Sequence, residues 1–212
     1  MKTIYVLSGL GADHRVFQNL NFGNNIVIPI PWLLPEKNER IEDYAKRMAA
    51  CIQHEKPILA GLSFGGMMSM EIAKHKEFEK IILISSSKTK SEIPALYKWC
   101  GILRLQKLVS GSFMKRCRAI VGRVFSIHSS SEKEIVDQML RDTDPVLLEW
   151  SIEKILYWKN TLVPANVFHI HGTKDRILPI RNISCNKVID KGGHLMVMNR
   201  AEEVSGLIQG FI

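Results

Sequence analysis

Six short apolar runs, Thr3–Ser8, Ile26–Ile30, Ile58–Gly61, Lys80–Ser85, Asn166–His171 and Asn186–Ile189, recur along the chain with helical patterns between them. Most are continuous rather than alternating in polarity, as strands covered on both faces require. Strand–helix alternation predicts an α/β fold, a mainly parallel sheet of about six strands flanked by helices. Between the second and third runs, Ile41, Tyr44, Ala45, Met48, Ala49 and Ile52 form the stripe of a helix laid on a sheet. Val204, Leu207, Ile208 and Phe211 repeat that stripe near the C-terminal end.

One region breaks the alternation. Residues 88–159 offer helical patterns and no convincing strand. Ser131-Glu132-Lys133-Glu134 reads as a capping box, and Asp144-Pro145 as an N-cap followed by a first-turn proline. The expected organisation is a core of residues 1–87 and 160–212 with a helical cap insertion at 88–159. With 212 residues, the chain is sized for one domain whose core needs no disulfides. Cys51, Cys100, Cys117 and Cys185 are scattered without a CxxC pair, which predicts reduced, buried or half-buried thiols and no zinc site. The apolar N-terminal run is too short for a secretory signal, and no run approaches the roughly 20 residues of a membrane-spanning helix. A cytoplasmic chain without a membrane span is expected.

The third run ends in Ala60-Gly61-Leu62-Ser63-Phe64-Gly65-Gly66, and a helical stretch, Met67 to Lys76, follows. In Gly-x-Ser-x-Gly the serine sits on a sharp strand-to-helix turn, and the glycines keep neighbouring side chains from colliding there. The serine Oγ then stands at the carboxyl edge of the sheet, and the next N–H, that of Phe64, lies at a helix N-terminus suited to an oxyanion. A nucleophilic serine needs a base, and the base an orienting acid. His194 follows the last predicted strand in Gly192-Gly193-His194-Leu195, and Asp175 follows the fifth in His171-Gly172-Thr173-Lys174-Asp175. Three loops, each after a strand, supply the three residue types in the order Ser, Asp, His. Asp190 is an alternative acid near His194. A structural turn without chemistry is the competing reading of Ser63, and it weakens once Asp175 and His194 are placed.

Over nearly its whole length the chain resembles the α/β-hydrolase superfamily. The elbow Gly61–Gly66, the acid loop His171–Asp175 with Pro179 following, and Gly193-His194 carry the resemblance. It implies a catalytic triad of Ser63, Asp175 and His194. Ser8-Gly9-Leu10-Gly11 after the first strand resembles the family's oxyanion loop, which implies that the Leu10 and Phe64 backbone N–H groups form the oxyanion hole. Many members carry His-Gly where this chain has Ser8-Gly9. The N-terminal antiparallel hairpin of larger members is not evident, so a minimal version under a helical cap is implied.

Other site readings fare worse. His169 and His171 alternate on one strand and read as core or supporting residues, lacking the further ligands of a metal site. His14 reads as a water-exposed loop residue. Gly9-Leu10-Gly11 lacks the third glycine of a dinucleotide fingerprint, since position 14 is histidine, and Gly61–Gly66 lacks the Lys-Ser/Thr of a P-loop. No cofactor and no metal are expected.

The net charge is +8. Lys88, Lys90, Lys98, Arg104, Lys107, Lys115, Arg116, Arg118 and Arg123 face a single acid, Glu92, within 88–123, so this stretch equals the whole excess. The plain reading is a solvated helix face over an apolar pocket roof. The sharper ones are an anionic or carrier-linked acyl substrate, or an anionic membrane surface; nucleic acid is not expected, because no binding motif accompanies the charge. The function expected is hydrolysis of a carboxylic ester or thioester through an acyl-enzyme on Ser63. Two alternatives stand beside it: a carbon–carbon bond hydrolase or lyase using the same triad, and a non-catalytic binding protein on this scaffold.

Overall fold

A computed structural model describes residues 1–95, 97, 127 and 129–212. Six strands form one sheet: β1 (Thr3–Leu7), β2 (Ile26–Pro29), β3 (Ile58–Leu62), β4 (Lys80–Ile84), β5 (Val167–Gly172) and β6 (Lys187–Ile189). Their order is β2-β1-β3-β4-β5-β6, and every neighbouring pair is parallel. Among the described residues the helices are α1 (Ile41–Ala50), α2 (Phe64–Ile72), α3 (Ser130–Asp142), α4 (Pro145–Leu156), the short α5 (Met196–Asn199) and α6 (Ala201–Phe211). Single 3₁₀ turns occur at His14–Phe17, Lys90–Glu92 and Ile180–Asn182.

Strand side chains alternate between two cores. Tyr5, Leu7, Leu59, Ile81 and Leu83 pack with α1, α2 and Trp150 of α4. Ile4, Val6, Ile58, Ala60, Leu62, Ile82 and Ile84 pack with α3, α5, α6 and the turn holding Val16 and Phe17. Residues such as Leu59, Leu62, Met48 and Met68 are fully buried, and each contributes about 1.5–3 kcal/mol relative to exposure. Filling both faces is what made the runs continuously apolar. The chain steps from β1 outward to β2, then back past β1 to β3, so order reverses between β1 and β3. In open parallel sheets the crevice beyond the strand ends at such a reversal is where ligands bind. Here the loops after β1 and β3 flank it.

Several local expectations are corrected. The capping box at α3 is built by Ser129 and Glu132, not Ser131 and Glu134: Ser129 Oγ accepts the Glu132 N–H at 3.1 Å, and Glu132 returns to the Ser129 N–H. Both serines fit the same four-residue pattern, and the earlier one gains two more helical residues. Asp144 does cap α4, accepting the Val146 N–H at 2.7 Å ahead of Pro145. Helix α2 begins at Phe64 rather than Met67 and ends at Ile72 rather than Lys76. Of the cysteines, Cys185 is half-buried but Cys51 is exposed, because it follows the last turn of α1 beyond the buried stripe. Cys100 and Cys117 lie outside the described residues.

Candidate active site

Ser63 closes β3 and caps α2 with φ 52° and ψ −121°, a region that side-chain-bearing residues rarely enter and that costs on the order of 1–3 kcal/mol. Four hydrogen bonds hold it there. Its N–H donates to Ile84 O at 2.9 Å, and its carbonyl accepts from Gly66 N (2.9 Å), Met67 N (3.2 Å) and Ser86 Oγ (2.6 Å). Gly65 is required by contact: a Cβ there would collide with the Leu7 and Ser8 carbonyl oxygens. That closeness brings the loop after β1 against the elbow, and a Cβ on Gly9 would stand 3.2 Å from Ser63 Cβ.

The other two residues arrive from the far side of the sheet. His194 lies between β6 and α5, and Asp175 follows β5. Their loops are stitched together: Lys174 N–H donates to Gly192 O at 2.8 Å and Thr173 N–H to Ile189 O at 3.1 Å. His194 Nδ1 is 2.8 Å from Asp175 Oδ2, and His194 Nε2 is 2.8 Å from Ser63 Oγ. A carboxylate only accepts, so Nδ1 carries the proton and Nε2 accepts the serine hydroxyl. Asp175 Oδ1 accepts the Ile177 and Leu178 N–H groups, both at 2.9 Å. Burial alone would raise the Asp175 carboxyl; the His194 charge and hydrogen bond, the Leu178 N–H and His171 outweigh it and hold the carboxyl below its ordinary value. Asp190, the alternative acid, instead accepts the Thr173 hydroxyl at 3.2 Å. His14 is exposed, its side chain 67% accessible.

The Phe64 N–H is the first of α2 and has no carbonyl one turn back within the helix to occupy it. Leu10 borders two cavities that meet at Ser63 and His194. The larger, about 230 Å³, is walled by Phe64, Met67, Tyr97, Ile152, Ile155, Leu156, Ile177 and Leu178. The smaller, about 50 Å³, is walled by Val136, Met139, Leu140, Leu148 and Leu195. Apart from Ser63, His194 and Tyr97 the described lining is apolar, with no Lys, Arg, Asp or Glu in it.

Sequence reasoning missed two supports, Ser86 and Trp32, and read His171 only as a core or supporting residue. Ser86 fixes the Ser63 carbonyl, and Trp32 reaches Ser8 through Nε1 at 2.9 Å. Behind the acid, His171 Nε2 donates to Leu178 O at 2.7 Å and lies 3.4 Å from Asp175 Oδ2. His171 Nδ1 is therefore a lone pair, 3.4 Å from His169 Nε2, while His169 Nδ1 has no hydrogen bond among the described residues. The order of strands and loops signals the grouping of Ser63, Asp175 and His194; nothing in the local sequence around Trp32 or Ser86 signals these partners.

The buried histidines make acid stability testable. Burial, with His171 and Lys88 nearby, pushes His169 down to about 3, and burial likewise lowers His171. Between about pH 6.5 and 3 the unfolded chain takes up a proton at His169 that the folded chain refuses. The contribution of His169 is therefore complete above about pH 6.5 and is lost as pH falls, at up to about 1.4 kcal/mol per unit, with His171 adding in the same direction. Asp175 adds its own loss only below its unfolded value of about 3.9. Urea unfolding from pH 6.5 to 4.5 is expected to show this slope, and His169→Asn to flatten it by about 1 kcal/mol per unit. Equal slopes in the two proteins would mean that His169 is not held neutral.

The sequence matches no protein-family model and no curated protein. Solved structures are matched over the whole chain. A hydrolase from Oleispira antarctica superposes with a TM-score of 0.75, at 14% identity, covering 100% of this chain and 90% of that one. The chain has the α/β-hydrolase fold. An N-acyl homoserine lactonase complexed with N-butanoyl homoserine shares this fold at TM-score 0.75 and 16% identity, over 100% of this chain and 88% of its own. A thermophilic esterase from Thermogutta terrifontis, with malate bound, shares it at 0.67 and 18%, over 100% and 89%. Among the described residues no helix of this α/β-hydrolase fold is long and apolar enough to cross a membrane.

Proposed function

We propose that the chain hydrolyses a carboxylic ester or thioester through an acyl-enzyme on Ser63. The observation that carries this reading is the continuous relay of 2.8 Å contacts from Asp175 through His194 to Ser63 Oγ. Ser63 Oγ attacks the carbonyl carbon as its proton passes to His194 Nε2. The oxyanion is received by the Leu10 and Phe64 N–H groups. Collapse breaks the bond to the alcohol or thiol, which leaves with the proton from His194. Water then attacks the acyl-enzyme with His194 as base, releasing the acid and restoring Ser63. Asp175 holds the tautomer and offsets the imidazolium charge. That a thermophilic esterase and an N-acyl homoserine lactonase share the fold supports the reading.

The cavity walls favour an uncharged, short acyl group. The larger cavity, about 230 Å³, is smaller than the ~300–1,000 Å³ of drug-sized sites. None of the described lining residues offers a counter-charge to the carboxylate-bearing substrates of the carbon–carbon reading. Of the nine basic residues on which the anionic-substrate reading rests, Lys98, Arg104, Lys107, Lys115, Arg116, Arg118 and Arg123 lie outside the described residues.

Across p-nitrophenyl esters, kcat/KM is expected to peak near a four- to eight-carbon acyl chain and to fall at least about 10-fold by sixteen carbons. Ile152→Trp, which fills the larger cavity, should move the optimum to acetate. A fluorophosphonate probe should label Ser63 in the same preparation. An unlabelled Ser63 with no ester turnover would overturn the reading.

A further inference from the structure

We propose that Trp32 is a positioning residue for the oxyanion hole, tying its two halves to each other. The inference rests on the ester-hydrolase reading above. The two backbone donors come from loops far apart in sequence, Leu10 after β1 and Phe64 after β3, and both must point at one atom. Trp32, beyond β2, touches both. Its indole N–H donates to Ser8 Oγ at 2.9 Å, and Ser8 Oγ in turn donates to Ala12 O at 2.7 Å. Those two bonds clamp the turn that carries Gly9, Leu10 and Gly11. The face of the same indole stacks on the Phe64 ring, with centroids 5.3 Å apart and planes 12° from parallel. One rigid side chain thus meets the residue that opens the first loop and the residue that donates from the second.

Trp32 is itself held. Its ring also stacks on Tyr44 at 6.3 Å and 29°, and Tyr44 Oη donates to Leu33 O at 2.8 Å, fixing the backbone beside it. Tyr44 packs on Trp150 at 4.3 Å, and Trp150 meets the Phe64 ring edge-on at 6.3 Å. Trp150 Nε1 donates to Glu39 O at 3.0 Å, and Glu39 is paired with Arg47 at 2.9 Å. The loop after β2 is therefore fastened to α1 and α4, giving Trp32 a fixed base. A hydroxyl has one proton and accepts elsewhere, so Ser8 bonds to Trp32 and to Ala12 at once. The Ser8 side chain is short enough to bridge the Trp32 indole and the Ala12 carbonyl.

The physical consequence lies in the transition state. Negative charge on the carbonyl oxygen develops only as Ser63 attacks, so donor alignment acts on kcat and leaves KM in place. Loss of a whole donor costs about 10²–10³-fold, and misplacing a reacting group by about 1 Å can cost 10²-fold. Trp32→Phe keeps a ring for Phe64 but removes the N–H, and kcat is expected to fall about 10-fold at unchanged KM. Trp32→Ala removes both contacts and should cost about 10²–10³-fold. Affinity for an alkyl boronic acid, whose tetrahedral adduct on Ser63 presents an oxygen to the same donors, should fall in parallel with kcat.

The test is a cycle of wild type, Trp32→Phe, Ser8→Ala and the double variant, each in the full chain and checked by near-UV circular dichroism and thermal midpoint. If Trp32 works through Ser8, the double variant loses less kcat than the product of the single losses. Unchanged kcat in Trp32→Phe, or a raised KM alone, would overturn the inference while leaving the hydrolase reading intact. Strictly multiplicative losses would overturn the route through Ser8. No ester turnover and no labelling of Ser63 in the wild type would remove both together.

Discussion

Ser63→Ala is expected to cut ester hydrolysis by about 10⁴-fold or more while the protein stays folded. Alanine is the right probe because of the backbone. Ser63 already carries a Cβ at φ 52°, so alanine inherits the same strain and adds none. The bonds that hold the turn, from Ile84, Gly66, Met67 and Ser86, use only the backbone of residue 63 and survive the change. The thermal midpoint should therefore stay near that of the wild type while turnover vanishes. Ser63→Gly separates the two effects: it should be equally inactive yet more stable than Ser63→Ala by about 1 kcal/mol, because glycine enters positive φ freely. Ester hydrolysis retained in Ser63→Ala would sink the nucleophile assignment.

The second large effect is at the acid. Asp175→Asn should lower kcat by up to about 10⁴-fold with little change in KM. Asparagine keeps an oxygen for the Ile177 and Leu178 N–H groups, so the loop is preserved. Its amide nitrogen then faces His194 Nδ1, which must become an acceptor. The ring proton moves to Nε2 and points at Ser63, the reverse of what a base requires. Asp190→Asn should be close to silent, since Asp190 bonds only Thr173 in this neighbourhood. If Asp190→Asn is the damaging change and Asp175→Asn is not, the acid has been misassigned.

Much of this was legible before any coordinates. All six strands lie within a residue or two of the apolar runs, because burial on both faces leaves a continuous apolar signature. Ser63, Asp175 and His194 could be read as a group because each follows a strand, and parallel strands deliver every such loop to one edge. Helix boundaries were harder. The start of α2 was hidden by Gly65 and Gly66, poor helix formers whose presence is dictated by contact with β1 and Ser86 rather than by propensity. At α3, two overlapping Ser-x-x-Glu patterns competed, and local sequence holds nothing to separate them. Trp32 was invisible for a different reason. It sits in an irregular loop between Pro31 and Pro35, and its importance comes from where two other loops end. His169 and His171 were readable as core or supporting residues, but the His171 ring orientation depends on Leu178, seven residues along the chain and across a turn.

The three groups of the relay are held by two sets of hydrogen bonds within one sheet. Ser63 is fastened to β4 and its following loop through Ile84 and Ser86, whereas Asp175 and His194 are fastened to one another's loops through Lys174, Thr173, Gly192 and Ile189. β4 and β5 pair directly, with the Ser85 N–H donating to Ile170 O at 3.1 Å, and among the side chains of the relay the contact between Ser63 Oγ and His194 Nε2 joins the two sets. On the proposed mechanism the arrangement is modular in the engineer's sense: the atom at position 63 can be exchanged while Asp175 still sets the His194 tautomer. A scaffold divided in this way lets one part of the chemistry be rewritten while the other keeps its alignment.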